Sequence, residues 1–214
     1  MSGRAIDVPT AEGFSLEGLL DGDGPRAVAL CHPHPAFGGT MDTPLVAALA
    51  GALSAAGLAV LRFNFRGVGG SGGEPSGGLA EERDVAAAVA LLRDRGATEI
   101  ALCGYSFGSL MAAKALGLGL VGAARFLAVG LPTAIIGHDM ERIAGFERVL
   151  DETPTLLVAG TRDQFCDVGR LRAWIEGRPH ARLVELPGVS HFFTAPGELD
   201  DLVRRSVEFL ATPR

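Results

Sequence analysis

Apolar residues along the chain fall into short unbroken runs separated by longer stretches with helical spacing. Ala27 to Cys31 reads A-V-A-L-C, a continuous apolar run that marks a strand covered on both faces. Leu58 to Phe65, Ile100 to Cys103, Arg125 to Leu131, Thr155 to Ala159 and Leu183 to Leu186 are further strands. Upstream, Ala5 to Pro9 and Phe14 to Leu20 form two strands joined by a turn near Glu12-Gly13. Helical patterns lie between the runs. Thr43-Pro44 reads as an N-cap with proline at the first helical position, followed by Leu45, Val46, Leu49, Ala52 and Leu53. Leu79 to Arg95 is acidic at its start and basic at its end, which suits the helix dipole. A helix from the Ser106 turn ends near Gly117, and Val168 to Glu176 and Glu198 to Leu210 are the last two. Strands alternating with helices predict a mostly parallel sheet of about seven or eight strands with helices on both faces. No repeat or linker divides the chain, so residues 1–214 are expected to form a single α/β domain.

Composition narrows this picture. The chain is 48% hydrophobic and carries a formal charge of −6, which argues against nucleic acid or an anionic membrane as partner. Cys31, Cys103 and Cys166 form no paired framework, which fits a reducing, cytoplasmic location. The N-terminus has no apolar core of a signal peptide. Ala115 to Ile136 imitates a membrane span, but Gly117, Gly119, Gly122, Gly130 and Pro132 punctuate it. A helix end, a turn and a buried strand are the better reading.

Chemistry enters at Gly104-Tyr105-Ser106-Phe107-Gly108, placed between a strand and a helix. A serine on so tight a turn projects its hydroxyl clear of the sheet, and the Phe107 N–H points where an oxyanion would form. The five residues alone could be a glycine-rich turn with an idle serine. Asp163 and His191, however, also follow predicted strands, in the order nucleophile, acid, histidine. Serine needs a base to take its proton, histidine titrates near neutrality, and a carboxylate orients the imidazole. Asp167 and Asp139 are rivals for the acid, with Asp167 better placed to cap the helix at Val168. His180 lies at the wrong end of the sheet.

These motifs resemble those of the α/β-hydrolase superfamily over nearly the full length. The resemblance rests on Gly104 to Gly108, the chain order of Ser106, Asp163 and His191, the Gly188-Val189-Ser190-His191-Phe192-Phe193 segment and the Arg66 to Ser71 loop. More narrowly, His32-Pro33-His34-Pro35 with Gly38-Gly39-Thr40-Met41 resembles a group of small, mostly bacterial, dienelactone-hydrolase-like proteins. The resemblance implies an α/β-hydrolase fold and a serine hydrolase with no cofactor, acting through an acyl-enzyme. It implies Ser106, Asp163 and His191 as catalytic residues and the backbone N–H groups of Phe107 and His34 as the oxyanion hole. Pro33 and Pro35 have no N–H to offer, and His32 braces the loop. Superfamily caps are inserted after the strand that follows the serine helix; Pro132 to Thr153 is too short for a full one, predicting an open site.

Carboxylic esters are the first expected substrates, thioesters the second, amides or peptides the third. Phe37, Phe165 and Phe192 are candidates for the substrate pocket, although at least two of the phenylalanines near the motifs, which include Phe107 and Phe193, should be core. Two other classes compete. Gly67-x-Gly69-x-x-Gly72 matches a dinucleotide fingerprint formally, but Glu74 to Gly78 separates it from the helix. A non-catalytic binding protein could also use the fold. His32 and His34 lack the further ligands zinc requires, so no metal is expected. The sequence admits a homodimer and does not require one.

Overall fold

The computed structural model describes residues 3–133 and 143–212. Strands β1 (Arg4–Pro9), β2 (Ser15–Asp21), β3 (Arg26–Cys31), β4 (Ala59–Phe63), β5 (Glu99–Tyr105), β6 (Phe126–Val129), β7 (Thr155–Gly160) and β8 (Ala181–Leu186) form one sheet in the order β1-β2-β4-β3-β5-β6-β7-β8. β2 pairs antiparallel with both β1 and β4, and β3 through β8 run parallel. The helices are α1 (Pro44–Ala55), α2 (Glu81–Asp94), α3 (Phe107–Gly117), α4 (Phe146–Glu152), α5 (Val168–Ile175) and α6 (Glu198–Ala211).

Crossover handedness distributes the helices. The chain steps from β3 to β4 in one direction along the sheet, then reverses to reach β5 and continues to β8. Right-handed crossovers therefore place α1 on one face and α2 to α5 on the other. The two cores follow this division. Leu45, Val46, Leu49 and Leu53 of α1 pack with Val28, Leu30, Val60 and the buried Leu202, Phe209 and Leu210 of α6. Val85 and Val89 of α2, Leu110 and Met111 of α3 and Val149 of α4 pack with Ala29, Leu61, Leu102 and Leu157 on the opposite face. The reversal leaves a crevice between the carboxyl ends of β3 and β5, the position where open α/β sheets place their chemistry.

Three local expectations shift. Thr43 occupies the N-cap position of α1, but its hydroxyl accepts from Thr40 N–H and makes no cap bond. The strand expected over Leu58 to Phe65 ends at Phe63, because Asn64 and Phe65 turn into a loop in which Asn64 N–H bonds Glu17 O at 2.8 Å. The helix expected from Leu79 begins at Glu81, whose carboxylate accepts from Ser76 N–H and Gly78 N–H just before it. The span-like stretch, as far as Thr133, contains the end of α3, a turn and β6, and no helix among the described residues is long and apolar enough to cross a membrane. No cap covers the sheet edge among the described residues.

Candidate active site

The turn between β5 and α3 is built by close approach. A Cβ on Gly104 would lie 2.4 Å from Ser109 N, and one on Gly108 would lie 2.2 Å from Cys31 O. Only glycine lets α3 begin directly above the ends of β3 and β5. Ser106 is held at φ 54° and ψ −120°, a conformation costing about 1–3 kcal/mol for a residue with a side chain. Its N–H is anchored on Val129 O at 2.8 Å, and its carbonyl accepts from Ser109 N–H at 2.9 Å.

Asp163 follows β7 and His191 follows β8, on loops stitched to one another. Arg162 N–H donates to Val189 O at 3.0 Å, and Gly188 N–H donates to Thr161 Oγ1 at 2.8 Å. The two loops bring their side chains to the serine. His191 Nε2 lies 2.9 Å from Ser106 Oγ, and His191 Nδ1 lies 2.7 Å from Asp163 Oδ2. The second oxygen, Asp163 Oδ1, accepts from Phe165 N–H at 2.9 Å and Cys166 N–H at 3.1 Å. The carboxylate is shielded from solvent and acceptor-only when ionised. Nδ1 therefore carries the imidazole hydrogen, and Nε2 accepts from the serine hydroxyl.

Gly130 closes the back of this line. A Cβ there would meet His191 Nδ1 at 3.2 Å and Asp163 Oδ2 at 3.3 Å, at a φ of +55°. Its sequence signal was faint, a glycine at the end of a strand. Asp167 sits apart, capping α5 through Gly169 N–H and Arg170 N–H. Asp139, the third rival for the acid, lies outside the described residues.

The loop after β3 faces the serine turn. His32 is fully buried, with Nδ1 2.7 Å from Pro33 O and Nε2 accepting from Phe65 N–H at 3.0 Å. Burial pushes its pKa down to about 4, so the ring is neutral, with its hydrogen on Nδ1. The carbonyl and N–H of a trans peptide point in opposite directions. Gripping Pro33 O thus aims the His34 N–H away from His32. The His34 ring packs at 4.7 Å on the Phe107 ring. Phe107 N–H belongs to the first turn of α3, where no intrahelical acceptor exists.

The phenylalanines divide. Phe107 and Phe193 are buried core residues, whereas Phe37 is 84% and Phe192 57% exposed. Phe37 rests 5.5 Å from the His34 ring; Phe165 and Phe192 lie edge-on to His191 at 4.8 and 5.5 Å. Three aromatic rings thus stand against the two histidines that flank the serine turn, while Ser106 itself is buried. The glycine-rich loop does not open toward a ligand: Glu17 Oε2 already accepts from Gly70 N–H and Asn64 Nδ2, both at 2.7 Å. A carboxylate occupies the place a phosphate would need. Among the described residues, no group of three or more His, Cys, Asp or Glu side chains could hold a metal ion.

Fold and site together define a lidless α/β hydrolase. The family model described as an alpha/beta hydrolase domain matches residues 26–206, and the chain belongs to that family. A curated Mycobacterium tuberculosis protein of uncharacterized function is 31% identical, over 89% of this chain and 73% of its own length. The structure of an alpha-beta serine hydrolase homologue from Coxiella burnetii is 29% identical, covers 97% of both chains and superposes with a TM-score of 0.80. A serine hydrolase without a lid from Xanthomonas campestris is 28% identical, covers 99% of this chain and 97% of its own, and superposes at 0.80.

Proposed function

We propose that this chain is a serine hydrolase of carboxylic esters, with Ser106 as nucleophile, His191 as base and acid, and Asp163 as the residue that orients His191. The observation carrying this reading is the unbroken hydrogen-bond line from Ser106 Oγ through both nitrogens of His191 to Asp163. Ser106 Oγ attacks the ester carbonyl as Nε2 takes its proton. The carbonyl oxygen becomes an oxyanion held by Phe107 N–H and His34 N–H, each contributing about 3 kcal/mol to the transition state. The C–O bond to the leaving alcohol breaks while Nε2–H returns the proton to that oxygen. Water, deprotonated by His191, then cleaves the acyl-enzyme, releasing a carboxylic acid and restoring the serine hydroxyl. Asp163 stays ionised throughout and stabilises the imidazolium.

Phe37, Phe165 and Phe192 supply an apolar rim, which favours small uncharged esters over charged ones. The names of the Coxiella and Xanthomonas proteins support serine hydrolysis as the class of reaction. A fluorophosphonate probe tests the reading directly. Wild-type protein should be labelled and Ser106→Ala should not; an unlabelled wild type would point to a binding protein. A panel of p-nitrophenyl and acyl-CoA esters then separates oxygen esters from thioesters, because one triad serves both.

A further inference from the structure

The reaction above leaves Tyr105 without a task, although it sits beside the serine. It is the last residue of β5, and its side chain enters the core on the α1 and α6 face. Its phenol donates a 2.9 Å hydrogen bond to the main-chain oxygen of His191. The phenol ring lies 5.5 Å from the His191 imidazole with the planes 31° apart, and Phe193 meets it edge-on at 6.3 Å. All three contacts fall on residues 191–193, in a loop without helix or strand between β8 and α6. Phe193 itself is held at φ +51°, a left-handed conformation that a bulky residue keeps only where its surroundings enforce it. Burial, with the Asp163 charge adding to it, pushes the Tyr105 phenol upward, so the group remains a donor at neutral pH.

The bonds made by the His191 ring do not fix its backbone. A ring joined at one nitrogen to Ser106 and at the other to Asp163 can still be lost if its loop drifts. We propose that Tyr105 is a positioning residue that clamps the His191 loop onto the strand carrying Ser106. Adjacent residues of one peptide then set both ends of the serine–histidine contact, which otherwise joins positions 85 apart. The clamp rests on the assignment of Ser106 and His191 as nucleophile and base.

Tyr105→Phe removes only the hydroxyl and is the first test. With p-nitrophenyl acetate, kcat per fluorophosphonate-titrated site should fall about tenfold with KM within about twofold, since misplacement of about 1 Å can cost more than this. The low-field proton resonance of His191 Nδ1–H should be sharp in wild type and broadened by water exchange in the variant. A residue that merely stabilises the fold would lower the melting temperature and leave both readouts alone, and that result overturns the clamp. Phe193→Leu keeps the phenol bond but loses the edge contact; a severalfold drop in kcat at constant KM supports the clamp, and an unchanged kcat counts against it even if Tyr105→Phe does not fold. Failure of the hydrolase reading looks different, since wild type itself would then resist the probe.

Discussion

A single bond from His32 to Pro33 O decides the direction in which the next peptide points its N–H. Protonating His32 would add a hydrogen to the nitrogen that accepts from Phe65 N–H. The folded protein resists this, with a pKa of about 4 against 6.5 for the free side chain. Between those values the unfolded chain binds more protons, so stability rises with pH across the window and is lost on acidification from about 6.5 toward 4. The full loss is about 3 kcal/mol. Urea midpoints measured at pH 7.5 and 4.5 should show this fall, and His32→Gln should lack the histidine's share of it. Gly130 is the second position where one atom decides. Gly130→Ala brings a methyl against His191 and Asp163 at a strained φ. It should reduce kcat about tenfold or more through misalignment of the pair, with KM nearly unchanged; a steady-state comparison of kcat and KM would show otherwise if the backbone can yield there.

At the scale of elements, the acidic start of α2 does more than complement a dipole. Asp84 is fully buried and bonds Arg66 Nη2 at 2.6 Å and Arg66 N–H at 2.9 Å. Glu82 pairs with Lys114 of α3, and Glu81 gathers Ser76 and Gly78. Burial alone would raise Glu81, but these bonds outweigh it and hold its carboxyl below the usual range. Together they tie the 66–80 loop to the start of the helix. Phe65, directly before that loop, donates its N–H to His32, so the Arg66–Asp84 pair supports the proposed oxyanion donor. Asp84→Asn leaves the buried Arg66 with Glu12 alone and should cost about 3 kcal/mol in urea unfolding. Glu12→Gln, at a partly exposed partner, should cost under about 1 kcal/mol. Equal losses from the two variants would contradict this division of roles.

Across the whole molecule, the reversal between β3 and β5 creates the crevice, and no described element roofs it. In the proposed reaction the exposed Phe37 and Phe192 form an open rim for the substrate. Discrimination among acyl chains should be weak, since each added methylene buried against such a rim contributes less than the roughly 0.8 kcal/mol of full burial. Over p-nitrophenyl esters from acetate to octanoate, kcat/KM should change by less than about threefold per added methylene. A sharp optimum at one length would reveal an enclosed pocket instead. Phe192→Ala should raise KM for aromatic acyl esters more than for acetate.

Much of this was legible in the chain because it is written locally. Apolar runs of strand length, helical spacing and the glycines flanking Ser106 are properties of neighbouring residues, and each depends on sterics or burial that a few positions specify. The addresses of Asp163 and His191 were readable for the same reason, since each follows a strand. The end of β4 was misplaced because Glu17 reaches it from elsewhere in the sequence, and the start of α2 because Glu81 turns its carboxylate back onto Ser76 and Gly78, a choice its spacing does not announce. The 2.9 Å contact of His191 with Ser106, the 2.7 Å contact with Asp163 and the hydrogen bond from Tyr105 could come only from tertiary structure. They join residues whose separation in the chain carries no information about distance, and only the packing of β5, β7 and β8 into one sheet sets it.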